Sequence, residues 1–119
     1  MKVNKIREVA EAIGKIKDER LPYGLAAAVY ALRKAIAAGI EFFSAEEMAI
    51  AREFAKGEID AQGRFALKEG RETEYVKKVA ELLDTDVPVQ WETVKVKAPD
   101  AISVEIISAF DGLIEFEEE

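Results

Sequence analysis

The chain has 119 residues, half of them hydrophobic and about a third charged, which is the balance of a folded protein of one domain. It contains neither cysteine nor histidine, which excludes disulfides, thiolate metal sites and catalysis by either of these side chains. Residues 1–57 carry ten basic and eight acidic side chains, whereas residues 58–119 carry seven and sixteen. The second part of the chain is therefore expected to repel nucleic acid and to favour cationic partners.

Apolar residues at helical spacing predict a first helix from Asn4 to Glu19. This helix is expected to end at Leu21-Pro22, because proline disfavours the helical conformation of the residue before it. The same proline fits the first turn of a following helix, so the two helices are predicted to meet at a short joint. The apolar side of the first helix consists of Ile6, Val9, Ile13 and Ile16.

The segment from Pro22 to Gly57 is predicted to be one long helix that ends at Gly57. Ser44 and Glu47 fit a capping box, which would start a new helix at Ser44 and break the segment near Gly39–Ser44. The apolar pattern crosses this region without a change of phase, which favours a continuous helix, with or without a kink. The pattern is formed by Leu25, Val29, Leu32, Ile36, Phe43, Ile50 and Phe54.

The rest of the chain is predicted to hold shorter elements. In chain order they are a β-hairpin or ordered loop over 58–70, a helix over 72–83, half-buried edge strands over 87–91 and 94–96, and a short helix over 103–110 capped by Ser103.

Together these elements predict a mainly α fold with a small β component, of the α+β class. A helical hairpin surrounds a long central helix, and a short β-hairpin and edge strands lie in the C-terminal half. We expect a single domain over 1–119, with a helical part at 1–57, a mixed part at 58–114 and an acidic tail at 115–119.

The best candidate for a metal site resembles the twelve-residue calcium loop of an EF-hand. Glu58, Asp60, Gln62 and Glu69 stand at its first, third, fifth and twelfth positions. Glu58 and Gln62 are each one methylene longer than the usual ligands, and Arg64 adds a positive charge inside the loop. A glycine turn explains the same residues and is the preferred interpretation, so no cofactor is expected.

A second acidic segment, Asp84-Thr85-Asp86, could bind Mg²⁺ through its two carboxylates. A turn that ends the preceding helix explains these residues without a ligand. The turn is the preferred interpretation here too.

Two pairs of residues are candidates for contact with a protein partner. Phe42 and Phe43 are neighbours on a helix and cannot both point into one narrow seam, so one of them is expected at a partner surface. Glu115 and Glu117 belong to an acidic end in which no basic residue follows Lys97. Such an end suits a cationic partner, but a solubilising surface and frayed tail explain the same residues and are the preferred interpretation.

Three segments in order carry a family resemblance: Leu21-Pro22 opening a long helix, the stretch from Ile59 to Phe65, and the helix end from Tyr75 to Val89. The sequence Glu-Leu-Leu-Asp-Thr-Asp-Val within the last of these is the most specific piece. This set resembles small uncharacterised proteins encoded by tailed bacteriophages and prophages. The resemblance covers most of the chain and implies a phage context, without catalytic residues to carry over.

The first hypothesis is a non-enzymatic phage accessory or assembly protein that acts through protein–protein contacts, including self-association through its alanine-rich helix face. The second is an acidic inhibitor that occupies a basic groove of a host defence or nucleic-acid-binding protein. The third is a divalent-metal-binding domain centred on 58–69. No apolar run approaches the ~18 residues needed to span a bilayer, and the charged N-terminus is unlike a signal peptide. We therefore expect no membrane contact, and a location in the bacterial cytoplasm or the virion.

Overall fold

A computed structural model describes residues 1–16, 19–99 and 102–117. Its fold is mainly α with a small β component, as predicted. The elements in chain order are α1 (Val3–Ile16), α2 (Tyr23–Phe54), β1 (Ala55–Lys56), β2 (Ala66–Leu67), α3 (Glu72–Leu83), β3 (Val94–Lys97), α4 (Val104–Ala109) and β4 (Ile114–Glu117).

Helix α2 is continuous over 32 residues and sets the long dimension of the molecule. At 1.5 Å per residue it is about 48 Å long, against a longest extent of 56 Å for the whole structure. Gly39 and Ser44 both lie inside the helix, so no new helix begins at Ser44 and the prediction of continuity is confirmed. Pro22 is the N-cap, with φ −53° and ψ 145°, which places the joint with α1 where the sequence predicts it.

The main core lies between α1, the N-terminal half of α2 and the C-terminal elements. Gly39 allows the two helices to approach closely, since a Cβ built on it would lie 2.6 Å from Cδ1 of Ile6. The predicted apolar side of α1 is buried in full. The first helix ends at Ile16, and the predicted extension to Glu19 crosses Lys17 and Asp18, which lie outside the described residues. The core is formed by Ile6, Val9, Ile13, Ile16, Leu25, Leu32, Ile36, Val96, Ile106, Phe110 and Ile114, with smaller side chains between them.

A hairpin follows α2, but its strands lie further apart in sequence than predicted. Strands β1 and β2 pair antiparallel, and the backbone N–H of Lys68 donates to the carbonyl of Phe54 at 2.9 Å. Because this pairing draws Ala55 and Lys56 out of the helix, the helix ends at Phe54. The prediction that Gly57 ends the helix is therefore wrong, and Gly57, with φ +91°, lies just after β1 instead.

The second sheet consists of β3 and β4, which pair in parallel with Val94 opposite Ile114. The strand predicted over 87–91 is not formed, whereas the one predicted over 94–96 is β3. The indole N–H of Trp91 donates to the carbonyl of Leu113 at 3.0 Å, which anchors the irregular segment before β3. Ser103 caps α4 as predicted, its side chain accepting the N–H of Ile106.

The N-terminus is tied to the end of α3. The amino group of Met1 donates to the carbonyl of Val87, and the N–H of Val87 donates to the carbonyl of Met1, both at 2.9 Å. Lys2 forms an ion pair with Asp84, and the hydrogen bond that Lys2 donates to this carboxylate, followed by the carboxylate's negative charge, raises the pKa of Lys2. The predicted turn at 84–86 therefore also serves as the attachment point of the first residues.

Among the described residues, no helix combines enough length with enough apolar character to cross a membrane.

Candidate functional site

A second apolar stripe runs along α2, on a side of the helix other than the one that packs against α1, and its Phe42 and Ala49 also line a groove between α2 and α3. The residues of the stripe follow one another at spacings of four and three, the spacing of a coiled-coil seam. All of them are exposed except Ala35, which is half-buried. We call this set the alanine stripe: Ala31, Ala35, Ala38, Phe42, Ala45 and Ala49.

The two adjacent phenylalanines of α2 have different surroundings, as helical geometry requires. Phe42 belongs to the alanine stripe and is 37% exposed. Phe43 is half-buried and lines a cleft of about 80 Å³ between α2 and α3, together with Tyr75, Val79 and Leu82. Phe42 is therefore the member of the pair that is available to a partner.

Charged side chains border the alanine stripe on one side. Lys34 and Glu41 are both exposed and lie two turns apart on α2, one residue before Ala35 and Phe42 respectively. The Nζ of Lys34 lies 5.3 Å from the ring centroid of Tyr30, a cation–π contact that orients the lysine. The sequence analysis missed this border, although alanines at alternating spacings of three and four between charged residues would have indicated it.

Glu115 and Glu117 are exposed, but they do not belong to a tail. Both lie in β4, so the predicted acidic tail at 115–119 is wrong for its first three residues, and Glu118 and Glu119 lie outside the described residues. In the parallel register Glu115 lies beside Lys95, and Glu117 beside Lys97. The acidic surface of β4 is thus bordered by two lysines on its β3 side.

The loop over 58–69 does not bring its four candidate ligands together. Oδ1 of Asp60 accepts the backbone N–H groups of Gln62 and Arg64 at 2.9 and 2.8 Å, and Oδ2 accepts Nε of Arg64 at 3.0 Å. Within the described residues no group of three acidic side chains could hold a metal ion, so Glu58, Asp60 and Glu69 do not form such a group. The loop has the geometry of the glycine turn that the sequence analysis preferred.

We expect calcium to leave the stability of the protein unchanged. The carboxylate of Asp60 already forms an ion pair with Arg64, and the candidate ligands of the loop do not converge on one position where Ca²⁺ could bind. Adding millimolar CaCl₂ should shift the melting temperature by less than about 1 °C. MgCl₂ at the same concentration and ionic strength serves as the control. A rise in melting temperature that saturates with calcium, and is absent with magnesium, would contradict this expectation.

Another concave surface lies between α1 and α4. This open groove has a volume of about 410 Å³ and is lined in part by Glu8, Glu11, Lys15 and Glu105, of which Lys15 and Glu105 form an ion pair at 3.4 Å.

Comparisons of this chain with protein families, with curated proteins and with solved structures find no match.

Proposed function

We propose that this protein is a non-enzymatic accessory or assembly protein that acts through protein–protein contacts and associates with a second copy of itself through the alanine stripe. The exposure of this stripe on a continuous helix is the observation that carries the proposal. A contiguous apolar surface on a folded protein favours association, because covering it removes apolar area from water. Small side chains also let a second helix approach closely.

An antiparallel arrangement of two α2 helices fits the shape of the stripe. When Ala35 of one copy lies over Ala38 of the partner subunit, Phe42 of the first copy lies over Ala31 of the partner subunit. Each phenylalanine of the seam therefore meets an alanine, which permits close packing.

The same arrangement also fits the charges that border the stripe. It brings Lys34 to within two residues, about 3 Å along the helix, of the position facing Glu41 of the partner subunit, and the twofold symmetry repeats this pair. Within one helix Lys34 and Glu41 are about 10 Å apart at 1.5 Å per residue, too far for a direct ion pair. Charge complementarity thus appears only between two copies.

Charge exchange tests this arrangement directly. We expect the wild-type protein to be dimeric at high concentration, and Lys34→Glu or Glu41→Lys to weaken dimerisation by about tenfold, because each change puts two pairs of like charges at the seam. The double variant Lys34→Glu/Glu41→Lys restores opposite charges and should return the dissociation constant to within about threefold of the wild type. Sedimentation equilibrium measures all four constants.

A pair of matched substitutions separates the stripe from general surface effects. Ala38→Glu places a charge in the stripe and should abolish the dimer, whereas Ala37→Glu places the same charge on an exposed position outside it and should not. Circular dichroism checks that both variants keep their helix content. A wild-type protein that stays monomeric at high concentration, or equal effects of the two variants, would overturn the proposal.

The setting of a tailed phage is part of the proposal and is supported by the resemblance of the ordered segments. The genes that neighbour this one would test it, since tail-assembly genes favour an assembly role and anti-defence genes favour an inhibitor. The inhibitor hypothesis is the second candidate, and the exposure of Glu115 and Glu117 favours it.

A further inference from the structure

Strand β4 has one paired edge and one open edge. In the parallel ladder the N–H of Val94 donates to the carbonyl of Leu113, and the N–H of Ala98 donates to the carbonyl of Glu117. Because alternate residues of a parallel strand bond to the same neighbour, these two bonds direct the N–H groups of Glu115 and Glu117 toward β3. The carbonyl of Ile114 and both backbone groups of Phe116 therefore point away from β3.

The outward edge lacks a second strand within the described part of the chain, where β4 belongs to a two-stranded sheet and contacts β3 extensively. The N–H of Ile114 is already bonded to the carbonyl of Phe110, which marks where the open edge begins. Three backbone groups remain available to an incoming strand. Edges of this kind accept strands from other chains by β-augmentation.

The side chains of β4 define which strand would fit this edge. Ile114 is buried and Phe116 is half-buried on the core side, whereas Glu115 and Glu117 are exposed on the other side. An added strand runs about 4.8 Å from β4 and places its side chains beside these residues in turn. It therefore needs apolar residues on one side and positive charges on the other.

Strand β3 already shows this complementarity from the opposite edge. Its sequence Val-Lys-Val-Lys sets valines beside Ile114 and Phe116 and lysines beside the two glutamates. We propose that the open edge of β4 binds a strand from another protein in which apolar and basic residues alternate, so that Glu115 and Glu117 lie between two rows of cations. This surface is separate from the alanine stripe.

Pairing of two β4 strands from two copies is disfavoured by the same charges. It would bring Glu115 and Glu117 of one copy beside those of the partner subunit, and like charges across a strand pair are destabilising. The −7 net charge of the chain further opposes close approach of two acidic edges. A basic strand, by contrast, is attracted both by the two glutamates of β4 and by the net negative charge of the chain.

Backbone amide exchange tests the proposal at single residues. The probe is a blocked eight-residue peptide that alternates valine and lysine, and its control is a peptide of the same composition with four valines followed by four lysines. The alternating peptide should slow exchange of the Phe116 amide by about tenfold, while the amides of Glu115 and Glu117, already bonded to β3, change little. The block peptide should leave the Phe116 amide unchanged.

Substitution of the two glutamates tests the charge requirement. Glu115→Gln/Glu117→Gln keeps the shape of the edge and should weaken binding of the alternating peptide by about fivefold at low salt, with a smaller effect at high salt. Repeating the titration in the Ala38→Glu variant keeps the result independent of the alanine stripe.

Three outcomes would overturn the proposal. The first is equal binding of both peptides without protection of Phe116, which would indicate a general acidic surface. The second is no binding at millimolar peptide. The third is protection of Phe116 that rises with protein concentration in the absence of peptide, which would assign the edge to a second copy of this chain.

Discussion

Replacing Phe54 by alanine is expected to lower the free energy of unfolding by about 3–5 kcal/mol. Phe54 is 1% exposed and lies at the end of α2, where the helix gives way to β1. Its ring meets that of Tyr75 edge to face at 5.8 Å, and the guanidinium of Arg71 lies 4.8 Å from its centroid. The ring of Tyr75 in turn meets that of Phe65, with 5.9 Å between the ring centroids. The Tyr75 ring therefore joins α3 to the end of α2 and to the hairpin.

The matched control is Phe42→Ala, the same change in the same helix at an exposed position. Phe42 is 37% exposed against 1% for Phe54, so its replacement removes less buried area and should lower stability by only about half as much. Urea denaturation followed by circular dichroism measures both free energies, at low protein concentration so that association between copies does not contribute. Similar losses for the two variants would contradict the burial that the structure assigns to Phe54.

The helices were predictable because each carries its own periodic signal. Helix α3 lies at Glu72–Leu83, as predicted, and the unbroken phase of the apolar pattern through Ile36, Phe43 and Ile50 correctly indicated that α2 is continuous. The capping box at Ser44 is a local signal that competes with this pattern. No new helix begins at Ser44 because α2 packs against other elements on both sides of this residue. A continuous helix keeps its backbone hydrogen bonds there, whereas a new helix starting at Ser44 would lose several of them.

The strands were harder to predict because their partners are remote in the chain. Strand β1 consists of alanine and lysine, which have little β propensity, and it forms only because β2 lies beside it. Strand β4 pairs with a strand about twenty residues earlier, and the first residues pair with Asp86 and Val87. Alternation over two to four residues cannot specify such partners, so the sequence predicts an acidic tail where the structure has the strand β4.

The candidate interaction surfaces were predictable only in part, for a related reason. The geometry of a helix requires Phe42 and Phe43 to point in different directions, but it does not say which one faces solvent. Alanine fits a core as well as a surface, so the sequence shows two stripes on α2 without showing which is buried. The structure decides between them: α1 packs against the side of α2 that carries Leu25, Leu32 and Ile36, which leaves the alanine stripe exposed.

Replacing Ala45 by proline is expected to lower the free energy of unfolding by about 3 kcal/mol or more. In a continuous helix Ala45 donates its N–H to the carbonyl of Glu41, and a proline ring there both removes this bond and collides with that carbonyl. Ala45 is exposed, so the loss would come from the backbone rather than from packing. If a helix began at Ser44 instead, position 45 would be its first residue, where proline is well tolerated.

Tyr23→Pro provides the matched control at a true first position. Tyr23 is 85% exposed and opens α2, and Pro22 before it already has the extended conformation that a following proline requires. We expect this variant to change stability by less than about 1 kcal/mol, with no loss of helix signal in circular dichroism. Equal tolerance of the two prolines would mean that α2 is two helices in solution. The alanine stripe, which crosses position 45, would then no longer be one straight surface for a second copy.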